Sequence, residues 1–163
     1  MISEFDMKCL RRCIELAEAA VAAGDQPFGS VLVSAGGEVL YEGRNEVAGG
    51  DHTRHPEFAI ARWAAENMRP QERAAATVYT SGEHCPMCAA AHGWVGLGRI
   101  VYATSSRQLV AWLERRGVAR PPVRELPIDE VIRDAIVAGP VPELAEQVFA
   151  LHERRLKQAS VPS

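Results

Sequence analysis

No apolar run in these 163 residues approaches the ~20 needed to cross a bilayer. The opening MISEFDMKCLRR also lacks the basic-then-apolar layout of a secretory signal. A protein of the reducing cytoplasm is therefore expected, with no membrane partner. Cysteine is scarce: only four residues, Cys9, Cys13, Cys85 and Cys88. That number excludes a disulfide scaffold, and in a reducing compartment these four are expected as thiols or metal ligands. Cys9 and Cys13 stand one helical turn apart with side chains pointing alike, which suits a disulfide poorly and core packing well. Excess positive charge is missing too. Eighteen Lys and Arg against 21 Asp and Glu leave a net charge of −3, so nucleic acid is not the default partner. There is no internal repeat, low-complexity run or linker, and 1–163 reads as a single domain large enough to hold its own core.

The elements follow from periodicity and punctuation. Ser3 caps a helix carrying Asp6 in its first turn, with Met7, Leu10, Ile14, Ala17 and Val21 on one face and Gly24 at its end. PFGSVLVSA and EVLYEGR form a β-hairpin through Gly36-Gly37, a dipeptide suited to positive φ. EFAIARWAAENM then reads as a buried helix that stops before Pro70. AATVYTS, CPMCAAAHGWV, RIVYAT and RQLVAWLERRG alternate strand, helix, strand, helix, which implies parallel pairing in this half and a mixed sheet overall. In the remainder, PPVRELP suggests a short strand, and IDEVIRDAIVAG and PELAEQVFALHERRLK suggest two helices. The apolar face of the last, with Leu144, Val148, Phe149 and Leu151, has either its own body or a second copy to dock on.

The chemistry concentrates in Cys85-Pro86-Met87-Cys88. A strand running into this segment puts both thiols on one face of the first helical turn, where Pro86 loses no hydrogen bond. The positive end of the helix dipole favours thiolates there. Metal binding and dithiol exchange are served equally, so the choice depends on the rest of the chain. Structural zinc takes four protein ligands and catalytic zinc three plus water. There is no second CxxC, and of His52, His55, His84, His92 and His152 only His55 arrives with suitable company, as His55-Pro56-Glu57 at the mouth of the buried helix. His55, Cys85 and Cys88 would bind zinc, leaving Glu57 to face the open position.

H-x-E followed by C-x-x-C, each opening a helix with a strand between, is the signature of zinc-dependent nucleobase deaminases. The chain resembles the cytidine/deoxycytidylate deaminase superfamily, and most of all its guanine deaminase and small-base branch, from Pro27 to Ala103. The resemblance runs through Pro27-Phe28-Gly29, Asn45, Asp51-x-Thr53-x-His55-x-Glu57, Tyr79-Thr80-Ser81-x-Glu83-x-Cys85-Pro86-Met87-Cys88 and Trp94. It implies a three-layer α/β/α sandwich around a mixed sheet of about five strands. It also implies one Zn2+ per subunit on His55, Cys85 and Cys88, with Glu57 as acid and base of a hydrolytic deamination. The substrate it implies is a free nucleobase or related ring of guanine, cytosine-like, isoguanine or aminotriazine type. Asn45, Phe28 and Trp94 are implied in ring binding, with Trp112 and Glu114 the nearest equivalent of an acidic, aromatic segment that closes the pocket. A homodimer is implied as well, with 128–160 packing on the partner.

The chain departs from the family pattern at two positions. His84 stands where proline is usual and is expected in a wall or at the surface, and Pro56 replaces a residue whose N–H would face the ring. Other readings make distinct demands. A tRNA adenosine deaminase shares these motifs but should carry a basic track, for which Arg115, Arg116, Arg120, Arg154, Arg155 and Lys157 are the candidates. A thioredoxin-like oxidoreductase or a purely structural zinc module gives Glu57 no task.

Overall fold

The structure, a computed structural model, describes residues 1–160. Helix α1 (Glu4–Ala22) begins at a capping box: Ser3 Oγ accepts the Asp6 N–H at 3.1 Å, and Asp6 Oδ2 accepts the Ser3 N–H at 2.8 Å. A hairpin follows, β1 (Gly29–Val33) and β2 (Val39–Arg44), turning at Gly37, whose φ of 84° needs glycine. Then come α2 (Pro56–Asn67), α3 (Pro70–Ala75), β3 (Thr77–Gly82), α4 (Pro86–Val95), β4 (Arg99–Thr104), α5 (Ser106–Glu114), α6 (Ile128–Val131), β5 (Val137–Ala138) and α7 (Pro142–Ala159).

The sheet order is β2-β1-β3-β4-β5, with β1 antiparallel to both β2 and β3 and the β3-β4 and β4-β5 pairs parallel. Both faces of the sheet are covered. On one, Leu10, Cys13, Ala17 and Val21 of α1 and Leu144, Val148 and Leu151 of α7 pack on Val31, Val33, Tyr79 and Val101. On the other, Ile60, Ala61 and Ala64 of α2 meet Leu32 and Val78, with Ala91 and Val95 of α4 alongside. The mixed three-layer arrangement is thus the expected one. Cys9 and Cys13 are core residues, and burial raises both thiols above their ordinary pKa. Asp6 ties α1 to the sheet, accepting from Arg99 at 2.7 and 3.2 Å and from the Tyr79 hydroxyl at 2.8 Å. Among the described residues, no helix is long and apolar enough to cross a membrane.

The last third differs from expectation. PPVRELP forms no strand, and IDEVIRDAIVAG is helical only over Ile128–Val131. The fifth strand lies inside that second segment, where Val137 and Ala138 pair with Ile100 and Val101. The backbone is already extended at Ile132, Asp134 at φ 54° turns the chain that follows, and pairing with β4 then outweighs the local helical pattern. The short helix α3, which starts at Pro70, has no counterpart in the sequence reading. Helix α7 docks on its own chain, its Leu144 and Val148 almost fully buried. His84 does not lie at the surface. It is 1% exposed, edge-on to His92 with ring centroids 5.3 Å apart, and among the described residues neither of its ring nitrogens has a partner. Burial holds it far below the ordinary histidine pKa and therefore neutral.

Candidate metal and catalytic site

Three segments meet at the ends of the central strands. The loop after β2 is folded tightly: Glu46 N–H donates to the Arg54 carbonyl at 3.1 Å, and Asp51 accepts from Thr53 N–H at 2.9 Å and from its hydroxyl at 2.7 Å. This closure delivers His55 as N-cap of α2, with Pro56 in the first turn, where proline is tolerated. On the facing side, Cys85 is the N-cap of α4 and Cys88 lies within its first turn. Glu83 anchors the approach to α4: its carboxylate accepts from Ser106 N–H at 2.8 Å and from Ile128 N–H at 3.0 Å, drawing the starts of α5 and α6 to the same place.

His55 Nδ1, Cys85 Sγ and Cys88 Sγ form a triangle whose three sides are each 3.5 Å. Tetrahedral zinc, with Zn–S of about 2.3 Å and Zn–N of about 2.0–2.1 Å, would hold two sulfurs about 3.8 Å apart and a sulfur and a nitrogen about 3.6 Å apart. The triangle has the size of one face of that tetrahedron, and the donors are those zinc prefers. Among the described residues, this is the one cluster of three or more His, Cys, Asp or Glu groups able to hold a metal ion.

The surroundings prepare these donors. The His52 backbone accepts from the His55 imidazole, which orients the ring with Nδ1 toward the sulfurs. Phe58 N–H points to Cys88 Sγ, and Cys88 N–H to Cys85 Sγ. The Cys88 thiol donates to Cys85 and, with His55 adding to it, outweighs burial to bring Cys85 down to about 4. Cys88 is pushed up, by that bond and by burial, so the first proton leaves Cys85.

Glu57 is 5% exposed and stands beside the triangle without joining it, its Oε2 3.8 Å from Cys88 Sγ. Burial raises its pKa, opposed by the Thr80 hydroxyl and its own N–H. Thr80 Oγ1 donates to Glu57 Oε1 at 2.7 Å, and Ser30 Oγ to Thr80 Oγ1 at 2.9 Å. These two hydroxyls have no role in the sequence reading. The available signal was a pair of polar residues in two otherwise apolar strands, and only the register that sets Ser30 opposite Thr80 makes it informative.

Four further side chains were expected at the ring besides Trp94. Asn45 is 1% exposed, and its Oδ1 accepts from Gln26 and Val47 N–H, both at 3.2 Å. Among the described residues its Nδ2 donates to no protein group. Phe28 is half-buried, lies against Gly82 in the segment leading to Cys85, and meets the His152 ring edge-on at 5.4 Å. Trp112 does not reach the triangle. It stacks on Phe149 at 5.6 Å under the Arg116 guanidinium, and touches Phe28 only through His152. Glu114 points to solvent and pairs with Arg120, since residues two apart on a helix face opposite ways. Trp94 sits about 13 Å of helix rise beyond Cys85 and is 90% exposed, so this chain does not bring it to its own site. On the outer side of His55, a cavity of about 560 Å³ lined by Tyr41, Arg44, Arg54, Pro56, Phe58 and Arg62 contains neither Glu57 nor the cysteines.

Residues 3–104 match the cytidine and deoxycytidylate deaminase zinc-binding region. A probable cytosine deaminase of Schizosaccharomyces pombe is 32% identical over 120 residues, covering 74% of this chain and 73% of that protein. A tRNA-specific adenosine deaminase of Haemophilus influenzae is 36% identical over 104 residues, 63% of this chain and 60% of the relative. Among solved structures, a guanine deaminase from Nitrosomonas europaea superposes with a TM-score of 0.67 at 20% identity, over 96% of this chain and 86% of that one.

Proposed function

The chain belongs to the cytidine and deoxycytidylate deaminase family, hydrolases acting on C–N bonds, and from that premise we propose that it removes the amino group of a free nucleobase or related amino-heteroaromatic ring as ammonia. The observation that carries this reading is the 3.5 Å triangle of His55, Cys85 and Cys88 with a buried, non-ligating carboxylate beside it. His55, Cys85 and Cys88 would hold one zinc ion per chain. When bound, zinc polarises a water at its fourth position and makes that water a nucleophile at neutral pH.

The chain's own groups do the rest. Glu57 takes a proton from the water and delivers it to the ring nitrogen beside the amino-bearing carbon, to which the water oxygen adds. The proton of the hydroxyl now on the ring carbon passes through Glu57 to the amino group, the C–N bond breaks, ammonia leaves, and a ring carbonyl remains. Such a carboxylate has to be close to the metal position and free of it, and burial, which raises its pKa, makes it a better base toward the water.

Ring selection rests on few donors. Asn45 Oδ1 is occupied, so Asn45 offers its NH2 and is matched by an acceptor on the ring. At the mouth of α2 no backbone donor is free: His55 N–H bonds the Thr53 carbonyl, Pro56 has none, Glu57 N–H serves its own carboxylate and Phe58 N–H serves Cys88. Pro56 therefore shifts discrimination among ring carbonyls toward Asn45. A Pro56→Ala variant with an unchanged order of substrate preference would remove this point. The exposed Trp94 supports a homodimer in which that ring is covered, to be read by sedimentation of the wild type against Trp94→Ala.

The Haemophilus relative favours a second reading, deamination of adenosine in tRNA. Against it, Arg116, Arg120 and Arg154, half of the candidate basic track, each pair with a carboxylate, on Glu153, Glu114 and Glu18. Ammonia release is to be measured over amino-purines, amino-pyrimidines, aminotriazines and tRNA. Salt-insensitive turnover of at least one free ring is expected, and turnover of tRNA alone would replace this reading with the second.

A further inference from the structure

The Ser30–Thr80–Glu57 chain has a direction. An ionised carboxylate has no hydrogen, so the 2.7 Å bond to Glu57 Oε1 uses the single hydroxyl hydrogen of Thr80. The 2.9 Å bond between the hydroxyls then uses the hydrogen of Ser30. Ser30 is 0% exposed, and among the described residues its Oγ makes no other hydrogen bond, so its one hydrogen is committed to Thr80. Thr80 is equally closed off from water. The register that sets Ser30 opposite Thr80 on antiparallel strands holds the two oxygens together.

We propose that Ser30 and Thr80 are positioning residues: their hydroxyls, donating in series to Glu57 Oε1, hold the carboxylate so that Oε2, the oxygen nearer Cys88, is turned toward the metal position. The rotamer of Glu57 is held from the side opposite the metal, so it does not depend on metal occupancy.

This rests on the deaminase reading for its kinetic arm alone. The direct test is neutron diffraction from deuterated wild-type protein: deuterium on Thr80 Oγ1 aimed at Glu57 Oε1, and on Ser30 Oγ aimed at Thr80, is expected. Deuterium of either hydroxyl aimed elsewhere overturns the proposal whatever the protein catalyses. In the kinetic arm, Thr80→Val, nearly isosteric but without the hydroxyl, should lower kcat about 10- to 100-fold with KM within about twofold and zinc content unchanged. Thr80→Ser should restore most of the loss, and Ser30→Ala should cost less than Thr80→Val. Wild-type kcat in Thr80→Val would overturn the proposal, as would failure of a folded, zinc-loaded Thr80→Ser to recover. A wild type that binds zinc and deaminates nothing would sink the deaminase reading, while the neutron result would still decide the hydroxyl order.

Discussion

Replacing Glu57 by glutamine separates chemistry from metal binding, and the structure sets the scale of the effect. The amide oxygen of the new side chain would accept the Thr80 hydroxyl in place of Oε1, and its NH2 would take the place of Oε2, 3.8 Å from Cys88 Sγ. Shape and packing are kept. A buried carboxylate whose pKa burial has raised is exchanged for a neutral group, so stability should hold or rise slightly. The loss falls on proton transfer. General acid–base catalysis by one group contributes about 10²–10⁴-fold, and Glu57 serves in both directions, so kcat should fall by at least about 10³-fold, or about 4 kcal/mol of barrier. The assay is ammonia release at saturating substrate, with zinc quantified on the same sample. Zinc per chain and substrate affinity should match wild type. More than about 1% of wild-type kcat, or loss of zinc along with activity, would refute Glu57 as a non-ligating acid and base.

Three other perturbations follow from the same geometry. Cys88→Ser should leave a site with one sulfur and abolish stoichiometric zinc, measured by metal analysis after dialysis, whereas Cys9→Ser and Cys13→Ser should leave metal content unchanged. Gly29→Ala should destabilise by about 3 kcal/mol in denaturant unfolding, because its Cβ would overlap the backbone of Cys13 and Ala17 where α1 crosses β1. Asp6 gives a pH signature. Burial alone would raise its carboxyl, but Arg99, the Ser3 N–H and the Tyr79 hydroxyl outweigh it and hold the folded value well below 3.8. A depressed folded pKa means stability that is fully present above about pH 4 and lost as pH falls toward the folded value. Asp6→Asn should therefore cost about 3 kcal/mol at pH 7 and flatten the acid limb of the unfolding curve. An unchanged acid limb would show that the Asp6–Arg99 pair does not contribute it.

Much of the site was readable before any coordinates because its chemistry is local in sequence. His55 and Glu57 share one helix mouth and Cys85 and Cys88 another, and Pro56 and Pro86 mark both starts. The hairpin was readable for the same reason, through Gly37. What escaped depends on contacts between distant segments. A two-residue strand such as Val137–Ala138 carries no periodicity and exists through its pairing with β4. The hydroxyl chain needs the register between β1 and β3. Trp112 and Glu114 match an aromatic-acidic pattern by order alone, and the stack of α5 on α7 turns the tryptophan inward and the glutamate outward. His92 is tied through Nε2 to the Gly98 carbonyl at 2.9 Å, whereas the packing described above gives no reason for His84 beside it.

X-ray absorption at the zinc edge, on protein purified with zinc and freed of loosely held metal, reads the coordination shell itself. Two sulfurs, one imidazole nitrogen and one light atom from water, at one zinc per chain and unchanged in Glu57→Gln, is the expected result. A shell made of four protein groups, or protein that keeps its fold and activity with no zinc, would contradict the account.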